Sequence, residues 1–147
     1  MKNAIFLGGT CGNNNWRDGF MARMSARGLP IEAMFNPIVK VWDAAAKERE
    51  NRIKRTARYI LIYLGDPKEP NNNRSFFSLL EGIFGLFDAP DRMIVVFDYE
   101  GVRPEARDSM RESFNEARGR FPHLPIFSTL AEAEEYLADK RDLKTTA

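Results

Sequence analysis

The chain has 147 residues, the size of one compact domain, and its 44% hydrophobic and 29% charged residues are typical of a globular protein rather than a disordered one. Its 22 basic and 21 acidic side chains give a formal charge of +1, so no overall positive field attracts nucleic acid or an anionic membrane. A single cysteine excludes an internal disulfide, and no apolar run reaches the length of a membrane span. We therefore expect a cytoplasmic protein that binds neither nucleic acid nor membrane.

Apolar stretches of strand length alternate with helical patterns, which is typical of a parallel sheet covered by helices on both faces. The predicted strands are residues 3–8, 31–35, 59–64, 93–98 and 125–128. The predicted helices are approximately residues 16–27, 44–57, 74–87, 104–118 and 129–139, with Asn15 and Thr129 as N-caps of the first and last. Strands 59–64 and 93–98 are apolar without alternation, so we expect them at the centre of the sheet.

The pattern predicts a single α/β domain, residues 1–140, built on one doubly wound, five-stranded parallel sheet. We expect the charged C-terminal tail, residues 141–147, to fray. In such a fold ligands bind where loops leave the carboxyl ends of the strands.

The loop after the first strand contains Gly8, Gly9 and Thr10, followed by three asparagines at residues 13–15. Glycines let backbone N–H groups approach a ligand closely, and neutral hydrogen-bonding groups suit a sugar or nucleobase better than a bare phosphate. We therefore predict that residues 8–15 line a sugar and base pocket through backbone amides and asparagine side chains. A tight turn followed by a helix cap is the alternative.

The single cysteine has a separate interpretation. Cys11 and Arg17 have the C-x5-R spacing of tyrosine phosphatases, in which a thiolate attacks a phosphate that the arginine binds. Asp18 follows the arginine in place of a hydroxyl residue, and its carboxylate would repel a phosphate. An unreactive loop cysteine is therefore favoured over a phosphatase. The single histidine, His123, lies in a proline-flanked surface connection, so we expect no metal site and no cofactor.

Small and polar side chains form one narrow stripe on the predicted helix 74–87, including Ser78, Glu81, Gly82 and Gly85. A stripe that faces solvent is the simplest interpretation. However, each glycine in a helix costs about 1 kcal/mol relative to alanine, so a backbone or ligand that approaches closely is the alternative. A broad apolar face covers the rest of the helix: Phe76, Leu79, Leu80, Ile83, Leu86 and Phe87.

Four short motifs follow one another on the predicted loops. The first is FLGGT, followed by a short polar loop and WR. The second is FNP, and the third is WD shortly after it. The fourth is S-x-x-E, in the helix after the third strand. In this order they resemble the nucleoside 2-deoxyribosyltransferase-like family, over residues 4 to about 100.

The resemblance implies a flavodoxin-like fold and N-glycosyl transfer or hydrolysis on deoxynucleosides, nucleosides or nucleotides. Glu81, the last residue of the S-x-x-E motif that begins at Ser78, would be the nucleophile that attacks the anomeric carbon. The resemblance also places a group of residues around the sugar and base: Phe6, Gly8, Gly9, Thr10, Asn36 and Trp42. Ser78 flanks Glu81 on the small-residue stripe, and its hydroxyl is a candidate to orient the sugar.

The proton donor of the family is an aspartate near one end of the third strand, whereas Arg58 begins that strand here. Asp66 and Asp98, each at the end of a central strand, are the candidate acids, with an Asx turn or a helix cap as the alternative for both. Arg74 is a candidate ligand of a nucleotide 5′-phosphate, with a solvated arginine as its alternative.

We expect the ligand to be a small-molecule nucleoside or nucleotide and the protein to form a homo-oligomer. A catalytically silent relative that binds a nucleotide or a partner protein would keep the glycine loop and tolerate the loss of Glu81. That relative is the main alternative to an enzyme.

Overall fold

The computed structural model describes residues 1–69 and 76–144, in which five strands alternate with five α-helices. The strands are β1 (Ile5–Gly9), β2 (Met34–Phe35), β3 (Tyr59–Leu64), β4 (Met93–Phe97) and β5 (Ile126–Phe127). The helices are α1 (Trp16–Ala26), α2 (Ala44–Thr56), α3 (Phe76–Asp88), α4 (Pro104–Arg120) and α5 (Leu130–Ala138). None of the helices in these described ranges combines the length and apolar character needed to cross a membrane.

The strands form one all-parallel sheet in the order β2-β1-β3-β4-β5. Gly9 lies beside Tyr63, and Leu64 lies beside Phe97, so β1, β3 and β4 end at the same edge. The chain leaves β1 towards β2 on one side and later returns to place β3 on the other. This reversal of strand order between β1 and β3 is the switch point, the place at which folds of this class bind ligands. This is the doubly wound, flavodoxin-like α/β fold, as predicted.

Helices cover both faces of the sheet, which explains why its central strands are apolar throughout. In β4, Ile94 joins a buried cluster with side chains of α1 and α5. The next residue, Val95, joins a second cluster with side chains of α2, α3 and α4. Successive strand residues point to opposite faces, so burial on both faces removes any apolar and polar alternation. The predicted central position of β3 and β4 is confirmed.

The second predicted strand is shorter than expected. Residues Ile31–Ala33 form a 3-10 turn that begins after Pro30, and the backbone N–H of Ala33 donates to the carbonyl of Pro30 at 3.0 Å. Only Met34–Phe35 pair with β1, at the edge of the sheet. Ile31 is half exposed, so the apolar side chain that suggested a longer strand is not a core residue.

The two predicted helix caps have different outcomes. Thr129 caps α5, where its hydroxyl accepts the backbone N–H of Glu132 at 3.2 Å. Asn15 makes no side-chain cap hydrogen bond to α1. Instead, the side-chain oxygen of Asn14 accepts the N–H of Trp16 at 3.2 Å, because the loop brings the preceding asparagine into position.

The described part of the C-terminal tail packs on the domain rather than fraying. Arg141–Leu143 form a 3-10 turn, and Leu143 is 2% exposed in the cluster with α1 and α5. The carboxylate of Asp142 accepts hydrogen bonds from Arg58 at 2.6 Å and from the hydroxyl of Tyr59 at 3.1 Å. One apolar side chain and one ion pair therefore hold a segment that the charge pattern alone suggested would be loose.

Candidate active site

A cleft of about 400 Å³ opens at the carboxyl edge of the sheet, between the end of β1, the loop after β2 and the helices α2 and α3. Its volume is in the range of small-molecule sites. Glu81 of α3 lines it, across from the loop that follows β1. Most of the predicted substrate-binding residues also line it: Phe6, Gly8, Gly9, Thr10, Trp42 and Ser78.

Two predicted binding residues are not among those that line the cleft. Asn36 lines a smaller neighbouring depression of about 80 Å³ together with Asn14 and Asn15. The side-chain oxygen of Asn36 accepts the backbone N–H of Ile38 at 3.0 Å, so this side chain helps to shape the loop after β2. Arg74 lies outside the described residues.

The position of Glu81 follows from how α3 packs. A Cβ atom added at Gly82 would lie 3.5 Å from Val95, and one added at Gly85 would lie 2.5 Å from the side chain of Met93. The close approach that the two glycines allow is therefore that of α3 to the sheet. The small-residue stripe packs inwards, Ser78 is buried, and Glu81 at the edge of the stripe reaches the cleft.

The orientation of α3 also corrects the simplest interpretation of its small-residue stripe, which was that the stripe faces solvent. Because the small stripe faces the sheet, several large apolar side chains point outwards. The following side chains, which we call the outer stripe of α3, are 50–70% exposed: Phe77, Leu80, Phe84 and Phe87. Other side chains of the predicted apolar face do pack inwards: Leu86 is buried against the sheet, and Leu79 and Ile83 are partly buried against the same cluster.

Glu81 belongs to a cluster of charged side chains contributed by two helices. The ammonium of Lys54 in α2 lies 2.5 Å from Oε2 of Glu81 and 3.6 Å from Oε1 of Glu50, one turn earlier in α2. Glu50 and Glu81 both line the cleft. Their two carboxylates are no further apart than the sum of these distances, which is compatible with the separation of about 5–5.5 Å in retaining glycosidases.

Glu50 and Lys54 were missed in the sequence because α2 has the pattern of a charged surface helix. Their spacing of four residues was visible as a helical ion pair, which contributes only about 0.2–0.5 kcal/mol and is common at surfaces. Only the tertiary contact with Glu81 of α3 distinguishes this pair from an ordinary surface pair.

Arg17, in the first turn of α1, is a structural residue that holds the end of β1 and the loop after it. Its side chain is buried, and its three nitrogens donate to the carbonyls of Leu7 at 2.9 Å, Thr10 at 2.9 Å and Gly9 at 3.1 Å. Burial lowers the pKa of Arg17, and the neighbouring Cys11 opposes this shift. A phosphatase arginine must present its guanidinium to an anion, whereas this one binds the carbonyls of its own loop.

Two backbone amides of the loop after β1, which was predicted to bind a ligand through its amides, are engaged within the protein. The N–H of Thr10 donates to the carbonyl of Tyr63 at 2.8 Å, and that of Asn13 donates to Pro67 at 2.9 Å. The side-chain amide of Asn14 donates to the carbonyl of Asp66 at 2.7 Å. These contacts join the loops after β1 and β3, so the asparagines stabilise one wall of the cleft.

Asp66, a predicted acid, is held in an ion pair outside the residues that line the cleft. Its carboxylate accepts the N–H of Lys68 at 2.8 Å, and both the backbone N–H and the Nε of Arg103 at 3.1 Å. Burial alone would raise the pKa of Asp66, but these donors and the charge of Arg103 outweigh burial and lower it. A carboxyl that releases its proton so readily is poorly suited to donate one to a departing base.

Asp98, the other predicted acid, is held by a backbone N–H of the following turn and by a tyrosine. Its Oδ1 accepts the N–H of Gly101 at 3.0 Å, and its Oδ2 accepts the hydroxyl of Tyr63 at 2.5 Å. Burial, together with this hydrogen bond, raises the pKa of Tyr63. The structure therefore brings Glu81 together with Glu50, and not with Asp66 or Asp98.

No metal centre accompanies the cleft: within residues 1–69 and 76–144, no group of three or more His, Cys, Asp or Glu side chains is placed to hold a metal ion. The chain matches no protein-family model, and comparisons with curated proteins and with solved structures likewise find no match. The chemistry of the cleft must therefore be interpreted from its own geometry.

Proposed function

We propose that the protein is an enzyme that transfers or hydrolyses the N-glycosyl group of deoxynucleosides, nucleosides or nucleotides, as the resemblance to the nucleoside 2-deoxyribosyltransferase-like family implies. The observation that carries this proposal is the pair of carboxylates, Glu81 and Glu50, on one side of a cleft of nucleoside size. Glycosidic bond cleavage uses two carboxyl groups that flank the scissile bond, one as nucleophile and one as acid and base.

In the first step, a carboxylate oxygen of Glu81 forms a bond to the anomeric carbon. The bond from that carbon to the base nitrogen breaks, and its electron pair stays on the base. Glu50 carries the proton that neutralises the departing base, and it becomes a carboxylate. The transition state resembles an oxocarbenium ion, which the negative charge of Glu81 stabilises before the covalent bond is complete.

In the second step, water or an acceptor base attacks the anomeric carbon and releases Glu81 as a carboxylate. Glu50 takes the proton from the attacking nucleophile, which restores the starting state. Attack by water is hydrolysis, and attack by a second base is transfer. The side chain of Trp42 lines the cleft and is 57% exposed, so it offers a flat surface for a base.

The test is incubation of the protein with a panel of nucleosides and their 5′-monophosphates, followed by chromatography for released base. A second base added to the same reactions distinguishes exchange from hydrolysis. We expect release of base by the wild type and at least a 10²-fold loss in Glu81→Gln, which keeps the side-chain volume. Absence of base release across the whole panel contradicts the proposal.

A nucleotide-binding protein without catalysis is the second candidate. It is favoured by the 2.5 Å contact that occupies one oxygen of Glu81 with the ammonium of Lys54. Isothermal titration separates the two: a silent protein binds a nucleoside with unchanged affinity in Glu81→Gln and releases no base. If the protein is an enzyme, the wild type releases base and the Glu81→Gln variant does not.

We further propose that the protein is a homo-oligomer that covers the outer stripe of α3. Four large apolar side chains spaced along one helix face are more than a scatter of single surface residues. Light scattering should find more than one copy per particle for the wild type, and Phe84→Glu should dissociate it. Lys47→Glu, an exposed change on α2, is the matched control. A monomeric wild type contradicts this part of the proposal.

A further inference from the structure

Lys54 occupies a position between the two carboxylates of the cleft. Its ammonium is 2.5 Å from Oε2 of Glu81 and 3.6 Å from Oε1 of Glu50, and the three side chains are each only 20–24% exposed. The same ammonium lies 5.0 Å from the centre of the Phe6 ring, over its face. Two carboxylates and an aromatic ring thus hold one cation in place.

The carboxylates line the cleft, whereas Lys54 is not among the lining residues. An ammonium behind two carboxylates acts on a bound molecule through them, which makes Lys54 a positioning residue rather than a catalytic one. Its unequal distances rank the two contacts: the ammonium lies closer to the carboxylate of Glu81, and its contact with Glu50 is the longer one.

We propose that Lys54 exchanges its ion pair from Glu81 to Glu50 as the glycosyl-enzyme forms, an inference that rests on the proposed function. Formation of the ester bond to the anomeric carbon removes the negative charge of Glu81. Transfer of the proton from Glu50 to the departing base creates a negative charge on Glu50. The cation keeps one anionic partner throughout, and the net charge of the cluster does not change.

This exchange matters because the cluster is largely shielded from water. Separated charges in a half-buried site are costly, so a fixed cation that serves both carboxylates lowers the energy of the resting state and of the intermediate alike. Breakdown of the intermediate runs the exchange in reverse. Lys54 should therefore be needed for both chemical steps, whereas a lysine that merely orients Glu81 would be needed for the first alone.

The experiment follows the two steps separately with a slow 2-fluoro nucleoside. Mass spectrometry times the attachment of the sugar to the enzyme, and an added acceptor base then times its removal. In Lys54→Met, which keeps an unbranched side chain without the charge, we expect both rates to fall about 10²-fold while KM changes little. Lys54→Arg should recover part of both rates because it retains a cation.

Lys47→Met removes an exposed lysine of the same helix and should leave both rates unchanged. Thermal unfolding of each variant shows whether a slow variant is still folded. If Lys54→Met slows attachment alone, or slows neither step, the exchange is wrong. If the wild type itself neither releases base nor takes up the sugar, the proposed function fails as well, so the two failures are distinguishable.

Discussion

Replacement of Arg17 by lysine should strongly destabilise the protein. The guanidinium makes three charge-assisted hydrogen bonds, of 2.9, 2.9 and 3.1 Å, to carbonyls of β1 and its loop. A lysine keeps the charge, but its single ammonium lacks the planar fork that reaches all three carbonyls at once. The variant therefore measures what the geometry of the hydrogen bonds contributes to stability, with the charge unchanged.

The magnitude follows from the number of bonds lost. A hydrogen bond to a charged group contributes about 1.5–3 kcal/mol, and a lysine can retain one of the three. Arg17 is 4% exposed, so water does not freely replace the other two. After partial relaxation of the loop we expect Arg17→Lys to lower the free energy of unfolding by about 3–4 kcal/mol, a large part of the roughly 5–15 kcal/mol available to a domain.

Urea unfolding followed by circular dichroism measures this difference, with Arg27→Lys as the matched control. Arg27 is exposed at the end of α1, so its replacement should change the free energy by no more than about 0.5 kcal/mol. Equal stability of the two variants would refute the structural role of Arg17. Stabilisation of the wild type, but not of Arg17→Lys, by inorganic phosphate would restore the phosphatase interpretation.

Three further outcomes are expected. Cys11→Ser should leave glycosyl transfer nearly unchanged, whereas loss of a phosphatase activity in this variant would contradict our interpretation of the loop. Gly9→Ala should abolish folding as judged by circular dichroism, because φ is 113° and the added Cβ would lie 2.0 Å from the carbonyl oxygen of Tyr63; a folded variant contradicts this. Asp66→Ala should lower the free energy of unfolding by about 2–3 kcal/mol at pH 7. Since the pKa of Asp66 is lowered by folding, its contribution is complete above about pH 4 and is lost as the pH falls through the folded-state pKa, so the two stabilities should converge in acid; a gap that is independent of pH contradicts the ion pair.

The sheet was predictable because burial on both faces leaves a strong local signal. The runs YILIYL and MIVVF are apolar throughout and match β3 and β4. The strand β2 was predicted less well, since its register against β1 decides which residues pair and a local pattern does not contain that register. The packed tail likewise depends on a distant partner, Arg58, for the ion pair of Asp142.

The cleft was predictable in position but not in its charges. A switch point and a glycine loop indicate where a ligand binds, and Glu81 reaches that place. The second carboxylate was not predictable, because Glu50 approaches Glu81 only through the packing of α2 beside α3, around Lys54. The orientation of α3 was likewise hidden, because its hydrophobic face is broad enough to be buried on either side. The two glycines were the available signal, since they allow the helix to approach the sheet.

The identity of the nucleophile is the central claim, and covalent labelling tests it most directly. The wild-type protein is incubated with a slow 2-fluoro nucleoside, digested, and its peptides are sequenced by mass spectrometry. Our account predicts the added sugar on Glu81, and no label in Glu81→Gln. A label on Glu50, Asp66 or Asp98, or a Glu81→Gln variant that turns over at the wild-type rate, would contradict it.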